Sequence, residues 1–238
     1  MSGEERRGNR SAARFRHRLA DLKRNGSNIL LVGAEGLDAA CVRLLGESSA
    51  GRRYRLFVTT DAGPATVRSK LGGIESGQAD EEAVVVDWPA DVRGSAAGVA
   101  RSTGDRPNAD DRSIQWVRVD GGDLRELGET VEAAVERFDP GVEGFSPAEL
   151  RLCFDSITPL IADYDDRDVR RFLLGMTETV ERFDGMAHYH LPVAYDSEAV
   201  ESVEALFDAV VEVQYGEEGL EQRWHLADPD ITTDWLPL

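Results

Sequence analysis

The run Gly33-Ala34-Glu35-Gly36-Leu37-Asp38-Ala39-Ala40 follows directly on an apolar segment, 28–32, and is the first place where chemistry could sit. A phosphate-cradling loop needs the pattern GxxxxGK[ST] between a strand and its helix. The glycines let backbone N–H groups approach phosphate, the lysine neutralises charge, and the hydroxyl holds Mg²⁺. Gly33 fits the first glycine, but Asp38, Ala39 and Ala40 stand at the second glycine, lysine and hydroxyl positions. A carboxylate therefore sits where a phosphate would, and Glu35 adds more negative charge. Such a loop repels a triphosphate. Its helix N-terminus could accept an anion, yet Glu35 and Asp38 are expected to satisfy it as capping groups.

The second candidate is LRLCFDSITPL, residues 150–160, where an apolar run leads to Asp155 and Ser156. In an ATPase of this kind such an aspartate orders Mg²⁺. The simpler expectation is that both residues cap the strand end or the following turn.

His188 and His190 stand two apart on a predicted strand, so both point to one face. Two histidines on one face can begin a metal site, with a third ligand from Cys153 or Asp155. No motif completes it, so no metal ligand is assigned and a histidine pair hydrogen-bonded within the sheet is expected. Cys41, on an apolar helix face, and Cys153, inside an apolar strand, read as small buried hydrophobes. A nucleophilic Cys153 would need an exposed thiolate, which a central strand rarely offers. Asp163, Asp165, Asp166 and Asp168 lack the spacing and turn glycine of a Ca²⁺ loop. They read as a solvated cluster in which Asp166 caps a helix.

The elements that must position these residues alternate. Strands are predicted over 28–32, 54–58, 83–88, 114–119, 149–154, 187–193 and 209–215, with an edge strand over 221–226. Helices are predicted over 11–22, 37–45, 65–71, 124–138, 169–183 and 200–207, from apolar residues three or four apart. Residues 89–113 carry no period and read as a long surface loop. This is an α/β chain: a three-layer arrangement, with a mostly parallel central sheet and helices on both faces. Ligands of such folds bind at the carboxyl ends of the strands. The organisation expected is a flexible basic arm over 1–10, a core domain over 11–216, and an edge strand and tail over 217–238. The apolar end, Trp235 to Leu238, is suited to dock on its own domain or on a partner.

The chain has 238 residues, 41% hydrophobic and 30% charged, which excludes a disordered chain. No apolar run approaches the ~18 residues of a membrane span, and no signal core opens the sequence. Two cysteines cannot make a disulfide framework. A cytoplasmic protein is expected. Asp and Glu number 45 against 27 Lys and Arg, a net charge of -18, and lysine occurs only at Lys23 and Lys70. This balance is expected of a fold adapted to molar salt, where the Debye length is only ~3 Å. Residues 1–25 are the exception, with eight basic residues against Glu4, Glu5 and Asp21. Such an arm can bind nucleic acid, although molar salt weakens phosphate contacts. Docking on its own acidic domain or on a partner's is the expected role.

The segments NILLVG, TTDAGPATVRSKL, LRLCFDSITPL, VRRFLLGM and AHYHLPV occur in the order of a KaiC/RecA-like ATPase core. The chain resembles a haloarchaeal family of degenerate RecA-superfamily proteins, a domain of unknown function, over about residues 12–216. CFDSITPL is the most specific piece. The resemblance implies a P-loop NTPase core that lacks an intact P-loop. It implies that Gly33, Asp155 and Ser156 are the remnant of a nucleotide site, and that only Asp61, in Thr59-Thr60-Asp61, could stand in for the residue that polarises the attacking water. Ala39 and Ala40 depart from the family's pattern and argue against ATP hydrolysis.

The expected function is a non-catalytic interaction or regulatory module with a protein partner or a second copy of itself. The alternatives are a protein that binds ATP and Mg²⁺ weakly, and a DNA-associated protein using residues 1–25. No catalytic residue and no resident cofactor are assigned.

Overall fold

The computed structural model describes residues 3–46, 52–72, 82–89, 114–138, 140–227 and 230–238. The predicted surface loop 89–113 lies, beyond Pro89, outside the described residues.

Among the described residues the elements run α1 (Gly3–Asn25), β1 (Ser27–Val32), α2 (Leu37–Leu45), β2 (Tyr54–Thr59), α3 (Pro64–Gly72), β3 (Glu82–Asp87) and β4 (Ile114–Arg118). There follow α4 (Leu124–Glu136), β5 (Leu150–Phe154), α5 (Thr158–Asp163), α6 (Asp166–Arg182), β6 (Met186–Leu191) and α7 (Glu198–Val203). A 3-10 turn (Glu204–Leu206) leads into β7 (Ala209–Gly216), β8 (Gly219–Leu226), β9 (Ile231–Thr232) and β10 (Leu236–Pro237).

One sheet carries all the strands in the order β10-β8-β7-β1-β6-β5-β2-β3-β4, with β9 also on β8. The seven strands from β7 to β4 are parallel, and β8, β9 and β10 are antiparallel additions at one edge. Every residue of β1, β2, β5 and β6 is buried, as strands covered on both faces must be.

The period of two in β1 divides the layers. Leu30 and Val32 join a core with Leu127, Val131, Leu173, Met176 and Val180 of α4 and α6. Ile29 and Leu31 face the other way, against Leu22 of α1 and Leu37 and Ala40 of α2. A third cluster under α2 and α3 unites Cys41, Leu45, Val67, Phe57, Val85 and Cys153. Helices thus cover both faces of a mostly parallel sheet.

Buried arginines hold the far end of α2. Arg55 donates to the Gly46 carbonyl at 3.1 Å, and Arg151 to the Leu44 carbonyl at 3.0 Å. Cations there satisfy carbonyls that the helix leaves open and oppose the negative end of its dipole.

Three expectations change. Residues 1–10, read as a flexible arm before a helix at 11, enter a continuous helix at Gly3. Its apolar stripe docks, with Phe15 edge-on to Trp224 at 5.8 Å, and Arg18 pairs with Asp208 at 3.6 Å. The helix after the acidic cluster starts at Asp166 with Asp165 as its N-cap, so Asp166 is inside the helix. Residues 158–163, where the apolar periods predict no element, form α5, which Thr158-Pro159 can open because proline suits a helix start. The chain's apolar end docks on its own sheet. Leu236 pairs with Gln222, the Leu238 N–H donates to the Leu220 carbonyl at 2.9 Å, and Arg223 lies 4.2 Å over the Trp235 ring.

Candidate functional site

The carboxyl ends of the parallel strands are where a ligand of such a sheet binds. Between β1 and α2 the chain spends only residues 33–36. Gly33 adopts φ +138, and a Cβ there would meet the Val213 carbonyl oxygen at 2.2 Å. The glycine is required by the close approach of β7. Its N–H is already donated to the Val193 carbonyl at 2.9 Å.

Gly36 is the N-cap of α2, with φ 83 and no side-chain cap. The capping expected from Glu35 and Asp38 therefore does not occur. Glu35 is exposed. Asp38 instead pairs with Lys70 of α3, Nζ to Oδ1 at 2.9 Å. Ala39 is exposed and Ala40 is buried against α1 and β1.

Asp155, just beyond β5, turns toward the end of β2. One carboxylate oxygen accepts from the Thr60 N–H at 2.7 Å and lies 2.9 Å from the Thr60 hydroxyl. The other accepts from the N–H groups of Asp61, at 3.1 Å, and Ala62. Three successive N–H groups thus converge on one carboxylate. The Ser156 carbonyl lies 2.7 Å from the Thr60 hydroxyl, and its own hydroxyl accepts from the Thr158 N–H at 3.3 Å. Both residues cap turns, and Asp61 enters the arrangement through its backbone.

A second group of side chains lies inside the molecule, between α2 and the sheet. On α2, Leu37, Cys41 and Leu45 stand four apart and turn to the strands below. Cys153 of β5 stands opposite His188 of β6, and His190 follows two residues on, on the same face. The Cys41 and Cys153 sulfurs lie 3.3 Å apart. His188 Nε2 is 3.1 Å from the Cys41 sulfur, and His190 Nε2 is 3.8 Å from that of Cys153. The two rings stack with centroids 5.5 Å apart. All four side chains are at most 3% exposed.

Charge is divided unevenly there. Burial pushes the Cys41 thiol up, but contacts from Cys153, His188 and His190 outweigh it, and the net direction is down. Burial and the neighbouring Cys41 push Cys153 up. Burial pulls His188 below the ordinary histidine value. Lys70 is raised despite its burial, because Cys153, Cys41 and Asp38 favour its charge.

The residues predicted for a nucleotide site thus lie at strand ends: Gly33 is bonded to Val193, Asp155 to the turn after β2, and the Ser156 hydroxyl to Thr158 in its own loop. The histidine pair faces inward as expected, and both cysteines are buried. Cys153 is one of the two residues the sequence offers as a third ligand for the pair; the arrival of Cys41 from α2 is what the sequence does not offer. Cys41 and Cys153 are 112 positions apart, a separation without a motif, and the parity of β6 together with the apolar face of α2 was the only sequence signal.

Residues 26–213 match the family described as Family of unknown function (DUF7504). The chain belongs to that family. Comparison with curated proteins finds no match. Among solved structures, this DUF7504 chain is similar to a KaiC-like protein from the hyperthermophilic archaeon Pyrococcus horikoshii OT3, at 12% identity with a TM-score of 0.50. The match covers 85% of this chain and 78% of the other. At that identity the likeness is one of fold: the DUF7504 domain is built as an α/β domain like the KaiC-like protein.

Proposed function

We propose that this DUF7504 protein is a non-catalytic KaiC-like interaction or regulatory module whose nucleotide site is degenerate. The observation that carries the reading is the Asp155 carboxylate, which holds the β2–α3 turn through the N–H groups of Thr60, Asp61 and Ala62. A carboxylate bonded in this way has few lone pairs left to order the waters of Mg²⁺. The rest of the site supports the same reading. The loop of residues 33–36 is too short to wrap a phosphate chain, and its first N–H is used internally. The lysine and hydroxyl positions hold Ala39 and Ala40. The protein would then act through its surfaces, on a protein partner or on a second copy of itself.

Calorimetric titration of Mg-ATP, and separately of Mg-ADP, into the protein in molar KCl tests this. No heat and no thermal shift are expected. A second reading, weak nucleotide binding, draws on the N-terminus of α2, which no side chain caps. Saturable binding of either nucleotide would favour that reading over the first.

A further inference from the structure

We propose that Cys41, Cys153, His188 and His190 bind one zinc ion in a closed structural site that staples α2 to β5 and β6. The inference is independent of the nucleotide site.

The donor set comes first. Two thiolates and two imidazoles are a tetrahedral zinc set, and in a cytoplasm-like reducing setting such clusters bind metal more readily than they oxidise. The geometry agrees. Zinc at ~2.3 Å from sulfur and ~2.0–2.1 Å from nitrogen places tetrahedral ligand atoms roughly 3.3–3.8 Å apart. The sulfur–sulfur distance is 3.3 Å, and the two sulfur–nitrogen distances are 3.8 Å and, slightly short of that range, 3.1 Å. All four ligand atoms lie within 4.8 Å of one another, so the widest pair need close by only about 1 Å to surround one ion. Both histidines turn Nε2 toward a cysteine sulfur.

Burial decides the type of site. Each ligand is at most 3% exposed, so no position stays open for water or substrate. A closed four-ligand site is structural rather than catalytic.

Charge accounting supports a divalent ion. Zinc with two thiolates and two neutral imidazoles is neutral. The neighbouring Lys70 ammonium is balanced by Asp38 at 2.9 Å, so the region as a whole buries no net charge. Without a metal, the core keeps four polar groups whose contacts are sulfur hydrogen bonds, which are weak. Binding displaces the thiol protons to solvent and transfers no electrons. The ligands come from three elements whose mutual positions the fold already sets. The ion would tie the helix following β1 to two central strands.

The test uses the full chain, without a histidine tag, in molar KCl. Metal content is measured by mass spectrometry, and the metal is then exchanged for Co²⁺. About one zinc per chain is expected. The cobalt form should show intense tetrahedral d–d bands and a thiolate-to-cobalt charge-transfer band. A chelator should lower the melting temperature of the wild-type protein. Cys153→Ser and His190→Gln should lose stoichiometric zinc and the dependence of melting on chelator. Wild-type protein that takes up neither zinc nor cobalt, or a cobalt spectrum without the charge-transfer band, overturns the proposal. So does an intact mass lacking two hydrogens, which would mark a Cys41–Cys153 disulfide. The cobalt spectrum of the wild type decides the matter even if both variants fail to fold.

Discussion

Lys70 of α3 donates to Asp38 of α2 across 2.9 Å, with the lysine side chain 6% exposed and the aspartate 73% exposed. One of the chain's two lysines is thus buried, and its ammonium points toward the first loop from a neighbouring helix. The first turn of α2 is thereby tied to α3.

This pair is asymmetric, and the asymmetry is measurable. Asp38→Asn leaves a buried ammonium without its carboxylate, whereas Lys70→Met leaves a carboxylate that water can solvate. Breaking a fully buried pair costs about 3–5 kcal/mol. Exposure of Asp38 screens this one, so about 1–2 kcal/mol is expected for Asp38→Asn. Lys70→Met should cost less, and the double variant less than the sum. Because Cys153, Cys41 and Asp38 together raise the folded value of Lys70, the stabilisation of its charge is complete below the ordinary lysine value of 10.5. It is lost only as pH rises through the higher folded value. Urea unfolding of the three variants at neutral pH checks the order.

Asp155→Asn should destabilise the protein whether or not any nucleotide binds. An amide keeps one acceptor oxygen and turns an NH₂ toward the N–H groups of Asp61 and Ala62. Hydrogen bonds to a charged group are worth about 1.5–3 kcal/mol each, so a loss of about 2–4 kcal/mol is expected. Denaturant midpoints measured without nucleotide test this, and an unchanged midpoint would contradict a turn-holding role.

Gly33→Ala places a Cβ 2.2 Å from the Val213 carbonyl oxygen at a φ that side-chain-bearing residues rarely adopt. The clash is with backbone, so β1 and β7 would have to part. A cost of about 2–4 kcal/mol is expected from strain of this kind. Amide exchange should rise first in β7, and a variant as stable as wild type would sink the close-approach explanation.

His225 of β8 stacks on Tyr195, ring centroids 3.8 Å apart, and lies 3.4 Å from Glu212. Burial lowers its value; Glu212 raises it again and Arg223 opposes, leaving a net decrease. The folded state therefore binds this proton more weakly than the unfolded chain does. Stability should fall as pH drops through the ordinary value of 6.5 and level off below the folded value. Melting curves at neutral and mildly acidic pH should show a smaller drop for His225→Gln than for wild type.

The net charge of -18 predicts a salt-dependent fold. The melting temperature should rise steeply between about 0.1 M and 1 M KCl, where the screening length shrinks from ~10 Å to ~3 Å. A flat profile would argue against a salt-adapted surface.

The alternation of apolar periods was legible along most of the chain, because burial on both faces leaves continuous runs such as 28–32 and stripes such as Val169, Leu173, Met176 and Val180. α5 was harder to see, since six residues give too little period to read. The sequence by itself also determined that positions 39 and 40 carry neither an ammonium nor a hydroxyl, which is a matter of residue type. What only the tertiary structure decided are relations between distant segments. The reach of Asp155 to the N–H groups after β2, the pairing of Lys70 with Asp38, and the meeting of Cys41 with Cys153, His188 and His190 depend on strand order and on the seat of α2 over β5 and β6. Local periodicity tells which way a side chain faces. Which side chain it meets there is set by the packing of elements far apart in the chain.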